Sequence, residues 1–188
     1  MFADIIFDIA SLKRQISKYG FVDFWDMFIQ TYVYKQRPDL ESTPSSIDID
    51  LSSKCFDIDN IGDLYEIALE YVNKISKKEL GQYYTPADVA DFMSMKLINT
   101  IEPSDNIADV CCGTGNLIIS VLKNMSKDQA YNFIKTNKLY LYDLDETAIK
   151  LALMKIAILF IEKGDVFTYR NIEKFANTIR KRSIKLCS

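Results

Sequence analysis

Histidine is absent from this 188-residue sequence. A serine-histidine-aspartate triad is therefore excluded, and a zinc site would have only thiols and carboxylates to draw on. The four cysteines are Cys55, Cys111, Cys112 and Cys187; two are adjacent and none has CxxC spacing. They read as reduced thiols of a cytoplasmic protein. Proline occurs four times, at Pro38, Pro44, Pro86 and Pro103, and never in tandem. Long apolar runs are also missing. The longest, around Ile156 to Ile161, falls far short of the roughly 20 residues that a bilayer requires, so no membrane association is expected. The opening MFADIIFDIASLKRQ carries acids inside its apolar run and no cleavage-like site, unlike a signal peptide. Neither sign of charge dominates: 23 Lys and Arg stand against 26 Asp and Glu, a net charge of −3. No global field draws this chain to nucleic acid, so any DNA contact must come from a local basic patch or a partner subunit.

What is present suits a globular α/β chain. Hydrophobic residues make up 48% and aromatics 12%, enough for a core, and the length suits one domain with a helical appendage. Helical periodicity runs over 2–19 and stops at Gly20. Residues 21–35, FVDFWDMFIQTYVYK, are apolar on most faces, which predicts a sandwiched helix. A connection with Pro38 and Pro44 covers 36–60, and a third helix is expected over 62–74. A fourth starts strongly and runs to about Asn99: Thr85 can cap it, Pro86 suits the first position, and Asp88 lies three residues after the cap. Then come a strand (106–111), a helix (114–124), a helix opened by Ser126 (127–136), a strand (138–143) and a long apolar core helix (146–162) ended by Gly164. A strand-like GDVFT and a basic C-terminal helix follow. Strands alternating with helices predict parallel β-α-β units, and short, wholly apolar strands predict a sheet covered on both faces.

The chemistry concentrates in DVCCGTGN. Asp109 lies near the carboxyl end of the first strand. Gly113 and Gly115 permit a tight turn and close backbone approach to a ligand, and the helix that follows aims its free N–H groups the same way. This spacing is weaker evidence for pyrophosphate than the six-residue dinucleotide fingerprint, and a ligand with a carboxylate and no phosphate fits as well. The second strand, LYLYDLDE, ends in Asp143, 28 residues after Gly115, where a carboxylate can accept from two ribose hydroxyls. Helix capping is the competing use for Asp143 and Asp145; the Asp145–Thr147 spacing favours Asp145 for the cap and leaves Asp143 for the ribose. In GDVFT, Asp165 could bond an adenine amine and Phe167 could lie against the ring, although a turn aspartate explains the motif equally well.

Three segments, GQYYTPADVADFM, DVCCGTGN and LYDLDETAIKLALMKIAI, resemble the S-adenosylmethionine-binding half of adenine-specific (N6) DNA methyltransferases, above all the modification subunit of type I restriction systems. The lead-in IGDLYEIALEYV is also similar, and the resemblance covers about residues 61–167. It implies a Rossmann-like fold with an incomplete parallel sheet, divided into a helical N-terminal region (1–80) and a cofactor-binding domain (81–188). It further implies that Tyr84, Thr85 and Pro86 shape the methionine end of an S-adenosylmethionine site. Gly113, Thr114 and Gly115 would form its floor near Asp109, Asp143 would hold the ribose, and Asp165 with Val166 the adenine.

The sequence departs from that family at its catalytic motif, an Asn or Asp followed by Pro-Pro and an aromatic residue. With no adjacent prolines the motif is absent, and no catalytic residue is assigned. The chain thus reads as truncated before the catalytic strand, which would leave the first strand with an open edge. Another subunit, a second copy, the N-terminal helices or the C-terminal helix is expected to cover it. Three functions stay open: the cofactor-binding part of a restriction-modification methyltransferase, inactive alone and reaching DNA through partner subunits; a non-catalytic regulator, decoy or assembly module from a mobile element; or a methyltransferase acting on another amine or a small molecule with unrelated catalytic residues. The basic groups of residues 170–185, from Arg170 to Lys185, suit either DNA contact or a solvated helix face.

Overall fold

Residues 2–36, 58, 60–73, 84–136 and 138–162 are described in a computed structural model. The chain divides into two compact units, Met1–Tyr83 and Tyr84–Ser188.

In the first unit, α1 (Phe2–Tyr19) ends where Gly20 adopts a left-handed φ of 87°, and α2 (Phe21–Gln36) begins at once. The aromatic run of α2 is a core: Phe24, Trp25 and Phe28 are fully buried. Leu12 and Ile16 of α1 are buried as well. Tyr65 of α3 (Ile61–Asn73) closes the cluster, with its ring centroid 5.2 Å from that of Trp25. The apolar residues of α2 are largely buried as expected, but Val22, Asp23 and Gln30 leave one side of the helix exposed, so it is covered on part of its surface rather than sandwiched.

The second unit begins with α4 (Ala87–Leu97), which tightens into a 3₁₀ turn over Ile98–Thr100. Its start differs from the expectation. Pro86 occupies the cap position and no side chain caps the helix; the Thr85 carbonyl instead accepts from the Asn116 side chain. Asp88 accepts from the amide of its own neighbour, Val89. There follow β1 (Ile107–Asp109), α5 (Asn116–Asn124), α6 (Lys127–Lys135), β2 (Leu139–Leu141) and α7 (Glu146–Glu162). Ser126 opens α6 as expected, in a reciprocal capping box with Gln129. The described residues are thus mostly helical around a small parallel sheet.

That sheet pairs Ile107 with Leu139, Ala108 with Tyr140 and Asp109 with Leu141. Its strands are half as long as expected, but the chains run side by side a little further. Tyr142 N–H donates to the Asp109 carbonyl at 2.9 Å, and Cys112 N–H to the Tyr142 carbonyl at 3.0 Å. Ile107, Leu139 and Leu141 turn into a core with residues of α5, α6 and α7. Ala108, on the opposite face, is exposed and Tyr140 only half-buried, so among the described residues one face of the sheet is covered rather than two. The GDVFT segment and the basic C-terminal stretch lie outside the described residues. No helix among the described residues is long and apolar enough to cross a membrane.

Two helix contacts position the turn after β1. Serines face one another between α4 and α5: Ser94 Oγ lies 3.1 Å from Ser120 Oγ, and Asn124 Nδ2 donates to Ser94 Oγ at 2.7 Å. Ser120 also donates to the Asp91 carboxylate. On the other side, Gly115 sits against α7. A Cβ at Gly115 would lie 2.8 Å from the Ala152 Cβ and 3.2 Å from its Cα, and the residue holds φ at 84°. Gly115 therefore satisfies two constraints at once, one conformational and one of packing. Gly20 has a similar φ of 87° but nothing within 4 Å of its added Cβ. Gly20→Ala is expected to cost only the left-handed backbone penalty, about 1–2 kcal/mol. Gly115→Ala adds overpacking and is expected to cost about 2–5 kcal/mol. Urea unfolding of both variants measures the difference, and equal losses would show that the contact with Ala152 carries no weight.

Candidate functional site

Parallel strands carry their following loops to the same end of a sheet, so the turn after β1 and the loop after β2 meet. The meeting is a direct bond. Asp143, just past β2, accepts the Gly113 N–H at 2.7 Å through one carboxylate oxygen and the Asp145 N–H at 2.9 Å through the other. Asp145 in turn accepts from the amides of Thr147 and Ala148, at 3.0 and 3.2 Å, and so starts α7. The division of labour expected between these acids holds for the cap: Asp145 takes it, and Asp143 faces the glycine turn.

The turn itself is tight. Gly115 N–H donates to the Cys112 carbonyl at 2.8 Å, and Ile119 N–H, in the first turn of α5, to the Gly115 carbonyl at 2.9 Å. Gly113 has a left-handed φ of 50°, and an added Cβ there would come within 2.6 Å of the Tyr84 ring. That ring therefore rests on the turn where a side chain would otherwise be. Between the glycines, Thr114 is fully buried, and its hydroxyl has no hydrogen-bond partner among the described residues. A buried hydroxyl left unpaired is costly.

Two further residues belong to the site and escaped sequence reading. Asn116, the first residue of α5, donates to the Thr85 carbonyl at 3.0 Å and accepts from Lys155 Nζ at 2.7 Å. Lys155 lies on the apolar helix α7 and is only 5% exposed. The signal was a single cation inside LALMKIAILF, one turn beyond Leu151. Val110 and Leu144, apolar and each directly after a candidate-site carboxylate, are 69% and 90% exposed. Of the residues expected in the site, Tyr84, Thr85, Asp109, Gly113, Thr114, Gly115 and Asp143 lie on these converging segments. Pro86 is exposed at the head of α4. Asp165 and Val166 lie outside the described residues.

The electrostatics favour a ligand that donates hydrogen bonds or carries positive charge. Burial raises the Asp109 carboxyl above its ordinary value of 3.8, and the negative charge of Asp143 adds to the rise; the Cys111 backbone N–H partly opposes it. Burial, followed by the charges of Asp109 and Asp143, pushes the Cys112 thiol up, so it stays protonated and is no nucleophile. The raised Asp109 carboxyl affects stability with a definite sign. Folded Asp109 holds its proton more tightly than the unfolded chain does, so its contribution is fully present below pH 3.8 and is lost as pH rises through the elevated value. Asp109→Asn removes that loss. Urea unfolding is expected to show the variant gaining on the parent chain between pH 4 and pH 7; a constant difference would contradict the shift.

Comparison with known proteins falls on the same segments. The N-6 DNA Methylase family matches residues 56–183. A type I restriction enzyme MpnII methylase subunit from Mycoplasma pneumoniae is 29% identical over 72 residues, 38% of this chain and 13% of that protein. The type II methyltransferase M.VspI of a Vibrio species is 26% identical over 149 residues, 74% of this chain and 33% of that protein. The type II methyltransferase M.BanIII of Aneurinibacillus aneurinilyticus is 36% identical over 85 residues, 42% of this chain and 14% of that protein. The chain thus spans about a third or less of the length of these curated relatives. No solved structure matches it. The family match takes in well over half of the chain, including both glycines of the turn and the carboxylate that holds it, and this chain belongs to the N-6 DNA methylases, the adenine-specific DNA methyltransferases.

Proposed function

We propose that this chain is the S-adenosylmethionine-binding part of an adenine-specific DNA methyltransferase of restriction-modification type. On this reading residues 81–188 form a Rossmann-like cofactor domain and residues 1–80 a helical N-terminal region. The observation that carries the proposal is the bond from Gly113 to Asp143, which brings the glycine turn and an acidic strand end together.

S-adenosylmethionine supplies a methyl group on a positively charged sulfur, together with ribose hydroxyls, an adenine ring and a methionine end. The residues match those features one by one. Asp143 accepts from the ribose hydroxyls beside the amides it already holds. Leu144, large, apolar and exposed, offers an apolar contact beside the ribose for the base. Gly113, Thr114 and Gly115 form the floor, with Tyr84, Thr85 and Pro86 beside the methionine end. Asp109, raised chiefly by burial and further by the charge of Asp143, is relieved by a cationic or donating ligand. Asp165 and Val166 complete the adenine end by the family resemblance.

Methyl transfer needs more than this cradle. A target amine must be held by an Asn or Asp carboxamide or carboxylate and a backbone carbonyl, with an aromatic ring against the flipped base. The Pro-Pro sequence that carries those groups does not occur here. The catalytic loop and DNA recognition then come from a further polypeptide or segment, and the same source, or a second copy, covers the edge of β1 that pairs with no strand among the described residues.

Calorimetric titration of the 188-residue chain with S-adenosylmethionine tests the first half of the proposal. A labelled methyl-transfer assay on unmethylated DNA tests the second. Saturable binding is expected, weakened at least about tenfold by Asp143→Ala through the loss of charged hydrogen bonds, with no transfer by the chain alone. No binding would overturn the cofactor reading and favour a regulator or assembly module. Transfer by this chain alone would overturn its inactivity.

A further inference from the structure

Helix α7 is apolar almost throughout, and from Leu151 to Leu159 every residue is buried. Lys155 is the exception in chemistry. An ammonium taken out of water is costly unless its donors are met, so its retention inside this helix calls for a partner that uses it. Asn116 is one such partner: Lys155 Nζ donates to its Oδ1 at 2.7 Å.

The two ends of an asparagine amide differ, since the oxygen only accepts and the nitrogen only donates. Lysine has donors and no acceptor. A buried Lys155 can therefore face only the oxygen of Asn116, because a flipped amide would set donors against donors. With its oxygen committed, Asn116 must direct Nδ2 elsewhere, and Nδ2 donates to the Thr85 carbonyl at 3.0 Å. Thr85 lies between Tyr84, whose ring rests on Gly113, and Pro86, which heads α4 without a side-chain cap.

We infer that Lys155 is a positioning residue. It locks the Asn116 amide in one orientation and thereby holds residues 84–86 against the glycine turn. Lys155 itself does not touch the cofactor. It acts through Asn116 on the wall of the site, and the inference rests on the cofactor reading above only for its effect on affinity. The charged donor makes the hold stronger than a neutral one would be.

Two measurements on the full chain test this. The first is the carbonyl carbon resonance of Thr85, which reports whether that oxygen accepts a hydrogen bond and needs no cofactor. The second is calorimetric affinity for S-adenosylmethionine. Lys155→Met is expected to shift the Thr85 resonance toward its unbonded position and to weaken cofactor binding about tenfold. Asn116→Asp, which keeps an acceptor for Lys155 but loses the donor to Thr85, is expected to do the same. The double variant should be no worse than either single one, since both break one relay. Lys155→Arg, still a charged donor, should restore most of the affinity. Should Lys155→Met fail to fold, Lys155→Gln can offer either end of its own amide and is expected to move the Thr85 resonance in the same direction. A Thr85 resonance unchanged when the charge is removed would overturn the lock, as would additive losses in the double variant. If the parent chain binds no cofactor, the cofactor reading fails, and the Thr85 resonance alone decides the lock.

Discussion

The hydrogen bond from Gly113 N–H to the Asp143 carboxylate joins the two halves of the site. It runs between the turn after β1 and the loop after β2, segments 30 residues apart in the chain. One carboxylate oxygen fixes the glycine turn; the other fixes the Asp145 amide, and Asp145 then starts α7. The helix so positioned presents Ala152 to Gly115, where no larger residue than glycine fits without movement. Strand end, turn and helix are thus mutually determined, and the small sheet matters less for its area than for aligning those two loops.

Around this joint the chain accepts local costs of the kind found at binding sites. Two carboxylates stand near one another, a threonine hydroxyl is buried without a partner, and a lysine is buried within an apolar helix. The lysine is met by Asn116, and on the proposed reading the acids are relieved by a donating or cationic ligand. None of these groups is suited to attack a substrate, and Cys112, the buried thiol closest in sequence to the turn, is kept protonated. The Pro-Pro motif of the family to which the chain belongs does not occur in this sequence.

Much of this was legible in the sequence because it is local. Gly20 between two periodic runs, the Ser126–Gln129 spacing and the Asp145–Thr147 spacing each depend on neighbours a few residues away, and the helices begin and end within a residue or two of where those signals put them. The resemblance in the turn region likewise pointed to the family that the comparisons show. What sequence could not supply is tertiary. Thr85 has every local mark of a helix cap, yet its carbonyl is claimed by Asn116 from 31 residues away, and Pro86 takes the cap position. The strands are apolar enough for burial on both faces, but burial depends on what packs there, and Ala108 is exposed. Lys155 reads as an interruption of an apolar helix until Asn116 is seen beside it.

The central claim, that the glycine turn and Asp143 cradle S-adenosylmethionine, is tested most directly by backbone resonances of the isotopically labelled chain during titration with the cofactor. Saturable shifts of the amides at Gly113, Thr114, Gly115 and Asp143, with Tyr84 and Thr85 following, are the predicted result. Saturable shifts elsewhere that leave Gly113 and Asp143 unmoved, or no shifts at all, would contradict it.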